Sequence, residues 1–184
     1  TNQNDILDRA LREAEYRTGE VKPSISPSMD IQVSSNFERL LFDVYGCDGN
    51  AVAQVMHDLK TSGGFTISQG AIDAIRETFS SGSVSEAETS ARIATTLIES
   101  LELVCPHTAV GLEVAEHHHD IRTPMVTLAT AHPAKFPDAV EAATEVRPPL
   151  PKRMADLYDR LERVTEVEND LAAIEAVIRE KRAK

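Results

Sequence analysis

Apolar residues recur three or four positions apart along most of the chain, which is the spacing of one face of an α-helix. Capping residues mark several helix ends: Asp48 begins one helix, Gly63 ends it, and Ser85 with Glu88 has the spacing of a capping box. The predicted helices span residues 4–17, 35–46, 48–62, 68–79, 85–101, 106–118, 137–143, 151–161, and 169 to the basic C-terminal end.

The most strand-like run is residues 125–130, which is short, largely apolar and bounded by Pro124 and Pro133. These features are typical of a buried parallel strand. Residues 164–167 alternate like an edge strand, and residues 65–67 form a short extended piece. The order helix, strand, helix favours α/β architecture, but a parallel sheet needs more strands than these. We therefore expect the rest of the sheet to lie outside this chain.

Composition and charge narrow the possible partners. The chain has 184 residues, of which 41% are hydrophobic and 27% charged, as in an ordinary soluble globular protein. A net charge of −11 argues against nucleic acid and anionic membranes as partners. Two cysteines are too few for a disulfide framework and no apolar run could span a bilayer, so we expect a cytoplasmic protein. The chain does not begin with Met, and we expect it to be a piece of a longer protein.

A polar loop at residues 27–39 leads into the start of a predicted helix. Free backbone N–H groups and the helix dipole attract anions there, and hydroxyls, the Asn36 amide and Arg39 would suit a phosphate or a carboxylate. The alternative is purely structural: Ser35 and Glu38 have capping-box spacing, and Arg39 would be a solvated charge. The residues alone leave both interpretations open.

The predicted strand at 125–130 places polar residues only at and beyond its C-terminal end. In open α/β sheets, ligands bind beyond that end of the strands. Thr130, His132 and Lys135 would then face a crevice. The alternative is that Thr130 is an ordinary β-forming residue and Lys135 a surface charge.

Three consecutive histidines, His117 to His119, raise the question of a metal site. Adjacent helical residues point in different directions, so they cannot all bind one metal ion. No Cys-x-x-Cys or His-x-x-x-His spacing supplies further ligands. We interpret the run as a solvated helix end and assign no role to it or to Cys105.

Two long motifs resemble signatures of the threonine synthases: PSMDIQVSSNFER at residues 27–39 and LATAHPAKF at residues 128–136. Three shorter motifs resemble the same family, in the same order: TNQNDIL at 1–7, TSGGF at 61–65 and PHTAV at 106–110. The resemblance covers nearly the whole chain. It corresponds to the C-terminal part of these longer enzymes.

The resemblance implies the α/β fold of the tryptophan-synthase-β-like class, also called pyridoxal-phosphate (PLP) fold type II. This chain would be its C-terminal part, helix-rich with a few buried parallel strands. Residues 1–147 would belong to the PLP-binding α/β domain, with a helical insert. Residues 148–184 would form a C-terminal linker, an edge strand and helices.

The resemblance also implies a reaction. The parent enzyme would use pyridoxal 5'-phosphate to convert O-phosphohomoserine and water to L-threonine and phosphate. None of the chain's lysines matches the family's Schiff-base lysine, which lies upstream together with the glycine-rich loop that holds the cofactor phosphate. The missing N-terminal half of the same chain is therefore an expected partner.

Residue by residue, the resemblance implies one cofactor contact. Thr130 matches the hydroxyl that faces the pyridine nitrogen, and a neutral hydroxyl can donate a hydrogen bond to an unprotonated ring. Ser35, Asn36 and Arg39 lie in the motif that would bind the substrate's phosphate or carboxylate. Asp30 is a further substrate-site candidate, one that would position the loop. We expect no catalytic residue and no metal ligand within this chain.

Three functions stand side by side at this point. The leading hypothesis is the C-terminal part of a PLP-dependent lyase, inactive alone because its Schiff-base lysine is missing. The second is a helical interaction module that binds an anion at the start of the helix near Ser35 and does no catalysis. The third is a metal-dependent enzyme built on the histidine run.

Overall fold

A computed structural model describes residues 1–182, which divide into two compact units: residues 1–149, and the residues from 150 onward. In chain order the elements are α1 (Ile6–Glu13), β1 (Glu15–Arg17), α2 (Phe37–Val44), α3 (Gly49–Ser62), β2 (Gly64–Thr66), α4 (Gln69–Arg76), α5 (Glu86–Ser100), α6 (Pro106–His117), α7 (Pro137–Thr144) and α8 (Leu171–Arg182). Short 3-10 turns lie at Pro27–Met29, Pro133–Lys135, Lys152–Met154 and Leu157–Asp159. The prediction of a helix-rich chain is confirmed. None of the described helices is long and apolar enough to cross a membrane.

The first half of the first unit is built around two short strands. The helix predicted over 4–17 ends at Glu13, because Ala14 takes a left-handed conformation with φ of 59° and turns the chain into β1. β1 pairs antiparallel with β2, and Tyr16 lies opposite Phe65. Gly64 permits this pairing, since a Cβ atom there would lie 2.8 Å from the Tyr16 carbonyl oxygen. The pattern did not predict β1 because three residues are too few to show an alternation.

Tyr16 lies at the centre of a cluster that we call the aromatic core. Its ring stacks on Phe37 and Phe65, with centroid distances of 5.4 and 5.1 Å. The largest fully buried aliphatic residues of the cluster are Ile6, Leu41, Ile67, Ile72 and Ile75. Because burial of apolar surface is the main driving force for folding, this core holds α1, α2, α3 and α4 around the strand pair.

Several helix ends follow the predicted capping chemistry. The Asp48 carboxylate accepts two backbone hydrogen bonds at the start of α3, and Gly63 ends that helix with φ of 74°. Ser85 and Glu88 form the predicted capping box at the start of α5. Pro106 is the first residue of α6, as predicted. Local side-chain chemistry therefore sets these boundaries.

Among the described residues, three helices end on a left-handed residue that is not glycine. These residues are Ala14 after α1, Leu101 after α5 and Glu145 after α7, with φ between 59° and 62°. The N–H groups of Leu101 and Glu145 still close the last turn on the carbonyls of Leu97 and Glu141. Backbone hydrogen bonds therefore close α5 and α7 without a glycine.

Helices α5, α6 and α7 form a second, smaller core in the same unit. Each contributes one fully buried residue: Ile93, Ala109 and Val140. The guanidinium of Arg92 on α5 lies 2.6 Å from the Glu113 carboxylate on α6, and both side chains are largely buried. These contacts hold α6 against α5 and so position the first turn of α6.

Residues 124–130, which we call the exposed segment, form no strand, so the prediction of a buried parallel strand at 125–130 is wrong for this structure. No backbone-to-backbone hydrogen bond joins these residues to the rest of the described chain. Val126 and Leu128 are 76% and 80% exposed. A strand needs a neighbour to pair its N–H and C=O groups, and no strand within residues 1–182 lies beside this segment.

The second unit carries α8 and two of the 3-10 turns. The helix predicted over 151–161 is reduced to the turns Lys152–Met154 and Leu157–Asp159, and the edge strand predicted at 164–167 is not formed among the described residues. The carboxylate of Asp170, rather than the predicted Asn169, accepts a backbone hydrogen bond in the first turn of α8. The predicted basic end of this helix continues to residues 183–184, which lie outside the described residues.

Candidate functional site

An open cavity of about 600 Å³ lies within the first unit. Helices α1 and α2 contribute Leu7 and Leu40 to its lining, while α6 and the exposed segment contribute Val110, Val114 and Thr130. The lining is mainly apolar with a few polar groups, and the volume lies in the range of small-molecule sites. This cavity is the candidate site.

Thr130 lines the cavity at the first turn of α6. Its hydroxyl lies 3.2 Å from Thr108 Oγ1 and 3.3 Å from Cys105 Sγ, and its backbone N–H donates to Thr108 Oγ1 at 3.1 Å. Cys105 and Thr108 are buried. We call these three residues the hydroxyl–thiol cluster. The sequence pattern did not connect Thr108 or Cys105 with Thr130, because 22 or more positions separate them.

Burial and the hydrogen bonds of the cluster shift the pKa of the Cys105 thiol. Burial raises the pKa of this thiol, but side-chain hydrogen bonds with Thr108 and Thr130 and backbone hydrogen bonds with Thr108 and Ala131 together outweigh burial and leave the pKa below its usual value. The sulfur therefore lies within hydrogen-bond distance of both hydroxyls.

Asp30 lies at the centre of a hydrogen-bond network. Its carboxylate accepts from Asn2 Nδ2 at 2.7 Å and Asn4 Nδ2 at 3.0 Å. It also accepts from the backbone N–H of Ser24 at 2.8 Å and from the Ser24 hydroxyl at 2.5 Å. Asn2 and Asn4 are buried. These bonds tie the start of the chain to the loop at residues 22–30, and Asp30 does not line the cavity.

Ser35, Asn36 and Arg39 are exposed at the start of α2. The capping box predicted from Ser35 is not formed, and no side chain caps α2. Within residues 1–182 the three side chains have no hydrogen-bond or ion-pair partner. None of them lines the cavity, whereas Phe37 and Leu40 of the same helix do. The structure thus brings α2 to the cavity and leaves these polar side chains uncommitted.

His107 connects the two long motifs and was not predicted as a site residue. It is only 8% exposed, its Nε2 accepts the N–H of Ser28 at 3.1 Å, and its ring packs on Phe136 at 4.6 Å between centroids. Burial, and then the positive charge of Lys135, lower the pKa of His107. A neutral ring whose Nε2 accepts carries its proton on Nδ1, and that atom has no partner among the described residues. His107 lies in the PHTAV motif, which resembles the family but did not by itself predict a role for this residue.

His132 and Lys135 do not line the cavity. His132 Nδ1 accepts the N–H of Ala134 and so caps the 3-10 turn that follows it. Lys135 is exposed, with its ammonium 5.5 Å from the centre of the Phe136 ring. Of the three polar residues near the end of the predicted strand, the structure brings Thr130 to the cavity.

The histidine run lies at the C-terminal end of α6 and is exposed. His117 lies 3.7 Å from a carboxylate oxygen of Glu113, and His118 lies 3.3 Å from the carbonyl of Ser81. In the part of the chain that the structure describes, no three His, Cys, Asp or Glu residues are grouped so that they could hold a metal ion. The metal-enzyme hypothesis therefore finds no ligand set there.

Comparisons with known proteins agree on one family. The family model for "Threonine synthase, C-terminal" matches residues 108–178. Threonine synthase of Pseudomonas aeruginosa is 46% identical over 180 residues, and that of Corynebacterium glutamicum is 36% identical over 185 residues. Each match covers 97% of this chain and 38% of the relative, so the chain spans well under half the length of these relatives.

Solved structures show the same likeness. The crystal structure of PLP-bound threonine synthase from Brucella melitensis superposes with a TM-score of 0.88 at 49% identity, over 98% of this chain and 39% of that one. Threonine synthase from yeast superposes with a TM-score of 0.85 at 33% identity, over all of this chain and 41% of that one.

These likenesses define the class of protein first. The fold is that of the C-terminal part of a tryptophan-synthase-β-like enzyme of fold type II, as predicted. Within this class, the chain belongs to the threonine synthase family and matches the C-terminal portion of its members.

Proposed function

We propose that this chain is the C-terminal part of a PLP-dependent threonine synthase. The whole enzyme, a lyase of threonine biosynthesis, converts O-phosphohomoserine and water to L-threonine and phosphate. The observation that carries the proposal is the match of 97% of the chain to proteins of this name, at 46% identity to the one from Pseudomonas aeruginosa. The cavity supports it, because its volume suits a small molecule and a hydroxyl lies on its lining.

The polar groups of the cavity fit the ring of PLP. The nitrogen of an unprotonated pyridine accepts a hydrogen bond, and the hydroxyl of Thr130 can donate one. Among the described residues no carboxylate is hydrogen-bonded to Thr130, and the Asp8 carboxylate on the cavity lining already accepts a hydrogen bond from the Ser81 hydroxyl at 2.7 Å. Thr130 would therefore hold the cofactor at its ring nitrogen. When bound, PLP supplies the electron sink that makes protons of the amino-acid substrate acidic.

Ser35, Asn36 and Arg39 are the proposed substrate-binding residues. Arg39 has no ion pair within residues 1–182, and its guanidinium can bind a phosphate or a carboxylate through two parallel hydrogen bonds. The hydroxyl and the amide stand beside it at the start of a helix whose Leu40 lines the cavity. Asp30 serves this site by fixing the preceding loop, since its carboxylate already accepts four hydrogen bonds.

The rest of the enzyme would supply the cofactor-binding lysine and the loop that holds the cofactor phosphate. Support comes from the length of the relatives, of which this chain covers 38%. The exposed segment, with its unpaired backbone and exposed Val126 and Leu128, is where we expect a neighbouring strand from that missing N-terminal half to pair.

The proposal includes the domain division and the compartment. Residues 1–147 would belong to the PLP-binding domain with its helical insert, and residues 148–184 would form the C-terminal linker and helices. Cys47 and Cys105 are free thiols, which favours a reducing, cytoplasmic location.

The first experiment tests the chain by itself. Residues 1–184 are mixed with PLP and O-phosphohomoserine, treated with borohydride, and analysed by mass spectrometry and for threonine. We expect no threonine and no cofactor attached to the chain. Stoichiometric attachment of the cofactor to one lysine would contradict the proposed division of the site.

A second experiment uses the longer enzyme that carries these residues. Thr130→Ala should leave the circular dichroism spectrum unchanged and lower turnover, because the ring nitrogen loses its donor. Thr78→Ala, which changes an exposed threonine outside the cavity lining, is the matched control. Unchanged turnover in Thr130→Ala would remove this residue from the site.

Substrate binding is tested at Arg39. Arg39→Met should raise KM for O-phosphohomoserine about 10-fold to 100-fold, the effect of losing charged hydrogen bonds. Arg163→Met, at an exposed arginine in the second unit, is the control. A longer protein that binds phosphate but makes no threonine would instead support the anion-binding interaction module. A stoichiometric transition metal in elemental analysis would revive the metal-dependent enzyme.

A further inference from the structure

The hydroxyl–thiol cluster contains Thr108, a residue to which neither the sequence motifs nor the fold assigns a role in the site. Thr108 lies in the first turn of α6 and is buried, whereas Thr130 is exposed and lines the cavity. Two hydrogen bonds join them: Thr130 N–H to Thr108 Oγ1 at 3.1 Å, and a contact between the two hydroxyl oxygens at 3.2 Å. Thr108 therefore holds Thr130 by both its backbone and its side chain.

The number of protons and lone pairs on the Thr108 hydroxyl limits the hydrogen bonds that the Thr130 hydroxyl can make. A hydroxyl carries one proton and two lone pairs, and one lone pair of Thr108 Oγ1 already accepts the Thr130 N–H. The Thr108 proton has two possible acceptors, Thr130 Oγ1 at 3.2 Å and Cys105 Sγ at 3.3 Å. Oxygen is the better acceptor, since a thiol sulfur accepts only weakly. When the Thr130 proton is donated to a ligand, Thr130 Oγ1 can only accept within the cluster, and the Thr108 hydroxyl then donates to it.

This arrangement determines which acceptors remain for the Thr130 proton. With Thr108 donating to its oxygen, the remaining acceptor within the cluster is the weak Cys105 sulfur. The Thr130 hydroxyl can therefore exchange its hydrogen bond to the sulfur for one to a stronger acceptor in the cavity, at little cost in free energy. Removing Thr108 would free the Thr130 side chain to rotate, and the donor would no longer be held toward the cavity.

We propose that Thr108 is a positioning residue: it fixes the Thr130 hydroxyl as a hydrogen-bond donor toward a ligand acceptor in the cavity, the ring nitrogen of PLP. This inference rests on the proposed function, which supplies the ligand. Thr108 acts through Thr130 and does not itself line the cavity.

The test measures binding in the longer enzyme that carries these residues, and it compares PLP with 1-deazapyridoxal phosphate, in which a C–H replaces the ring nitrogen. Thr108→Val keeps the side-chain shape and removes the hydroxyl. We expect it to weaken PLP binding about 2-fold to 10-fold, the effect of one neutral hydrogen bond, and to leave binding of the deaza analogue unchanged. Thr108→Ser should restore PLP binding.

A double variant shows whether Thr108 acts through Thr130. Thr108→Val combined with Thr130→Ala should bind PLP no more weakly than Thr130→Ala alone, because the pair shares one interaction. Equal weakening of both ligands by Thr108→Val, or additive losses in the double variant, would overturn this inference and leave the proposed function standing. An enzyme that binds no PLP at all would overturn both.

Discussion

The aromatic core and the exposed segment both contain leucine, but the leucine in the core is buried and the leucine in the segment is exposed. Leu41 in the core is 1% exposed, whereas Leu128 in the exposed segment is 80% exposed. In the core that contains Leu41, two strands and four helices of the same chain meet. Beside Leu128, no strand of the described chain offers a backbone partner. An apolar pattern therefore predicts burial only where the same chain provides the surface that covers it.

The largest expected difference in unfolding free energy comes from replacing one leucine in each region. Leu41→Ala should lower the free energy of unfolding by about 2–5 kcal/mol, because it leaves a cavity in a packed core. Leu128→Ala should change it by less than about 0.5 kcal/mol, as exposed substitutions usually do. Urea unfolding of the 184-residue chain measures both.

The same pair sharpens the comparison in the longer enzyme. If the missing half covers the exposed segment, Leu128→Ala should become destabilising there while the Leu41→Ala loss stays similar. Equal losses for the two variants in the isolated chain would contradict the difference between the regions.

The next test adds one methyl group in each region. A Cβ at Gly64 would lie 2.8 Å from the backbone oxygen of Tyr16, which cannot move without breaking the strand pair. Gly64→Ala should therefore destabilise the chain by about 1–3 kcal/mol. At Gly111 the Cβ would lie 3.2 Å from the methyl group of Thr127, which belongs to a side chain and not to a paired backbone.

Gly111→Ala should therefore change stability by less than about 0.5 kcal/mol, since better helix propensity offsets the contact. Thermal unfolding of both variants is the measurement. A loss at Gly111 as large as that at Gly64 would show that the exposed segment is packed as rigidly as the strand pair.

A smaller effect is expected at the hydroxyl of Tyr16, which accepts the N–H of Ser34 at 2.7 Å. Tyr16→Phe should cost about 0.5–1.5 kcal/mol at neutral pH, the worth of one hydrogen bond. Burial raises the pKa of Tyr16 above 10.0, against the opposing effect of the hydrogen bond from Ser34. The stability that comes from the raised pKa of Tyr16 is fully present below pH 10 and is lost as pH rises through the folded-state pKa of Tyr16.

Unfolding free energies between pH 8 and 11 test the sign. Wild type should lose stability above pH 10 more steeply than Tyr16→Phe. Tyr158→Phe, at an exposed tyrosine, should behave as wild type. Parallel curves for wild type and Tyr16→Phe would show that the phenol does not titrate abnormally in the folded chain.

The smallest expected effect is the pH dependence of stability that His107 contributes. Burial, and then the charge of Lys135, lower its folded-state pKa below 6.5. Stability is therefore fully present above pH 6.5 and is lost as pH falls through the folded-state pKa, because the unfolded chain binds the proton more readily. His107→Gln should lose less stability than wild type between pH 7 and pH 5. His119→Gln, at an exposed histidine, should not differ from wild type, and an unchanged slope in His107→Gln would contradict the assignment.

The sequence predicted features that depend on neighbouring residues. Asp48, Gly63 and Ser85 act on groups within four positions of themselves, so their spacing alone located three helix ends. The long motifs likewise identified the family, because they are contiguous runs.

Features that depend on distant residues could not be predicted. Thr108 meets Thr130 across 22 positions and His107 meets Ser28 across 79, and no periodicity connects such pairs. The predicted strand at 125–130 failed for a different reason: its pattern was read correctly as apolar, but strand formation requires a partner that the described residues do not include.

The left-handed residues that end three helices leave room for engineering. Ala14, Leu101 and Glu145 each hold a Cβ in a backbone conformation that costs about 1 kcal/mol or more relative to glycine. None of the three lines the cavity, and Leu101 projects into solvent. Glycine at these corners offers a route to a more heat-resistant protein that leaves the ligand-binding surface untouched.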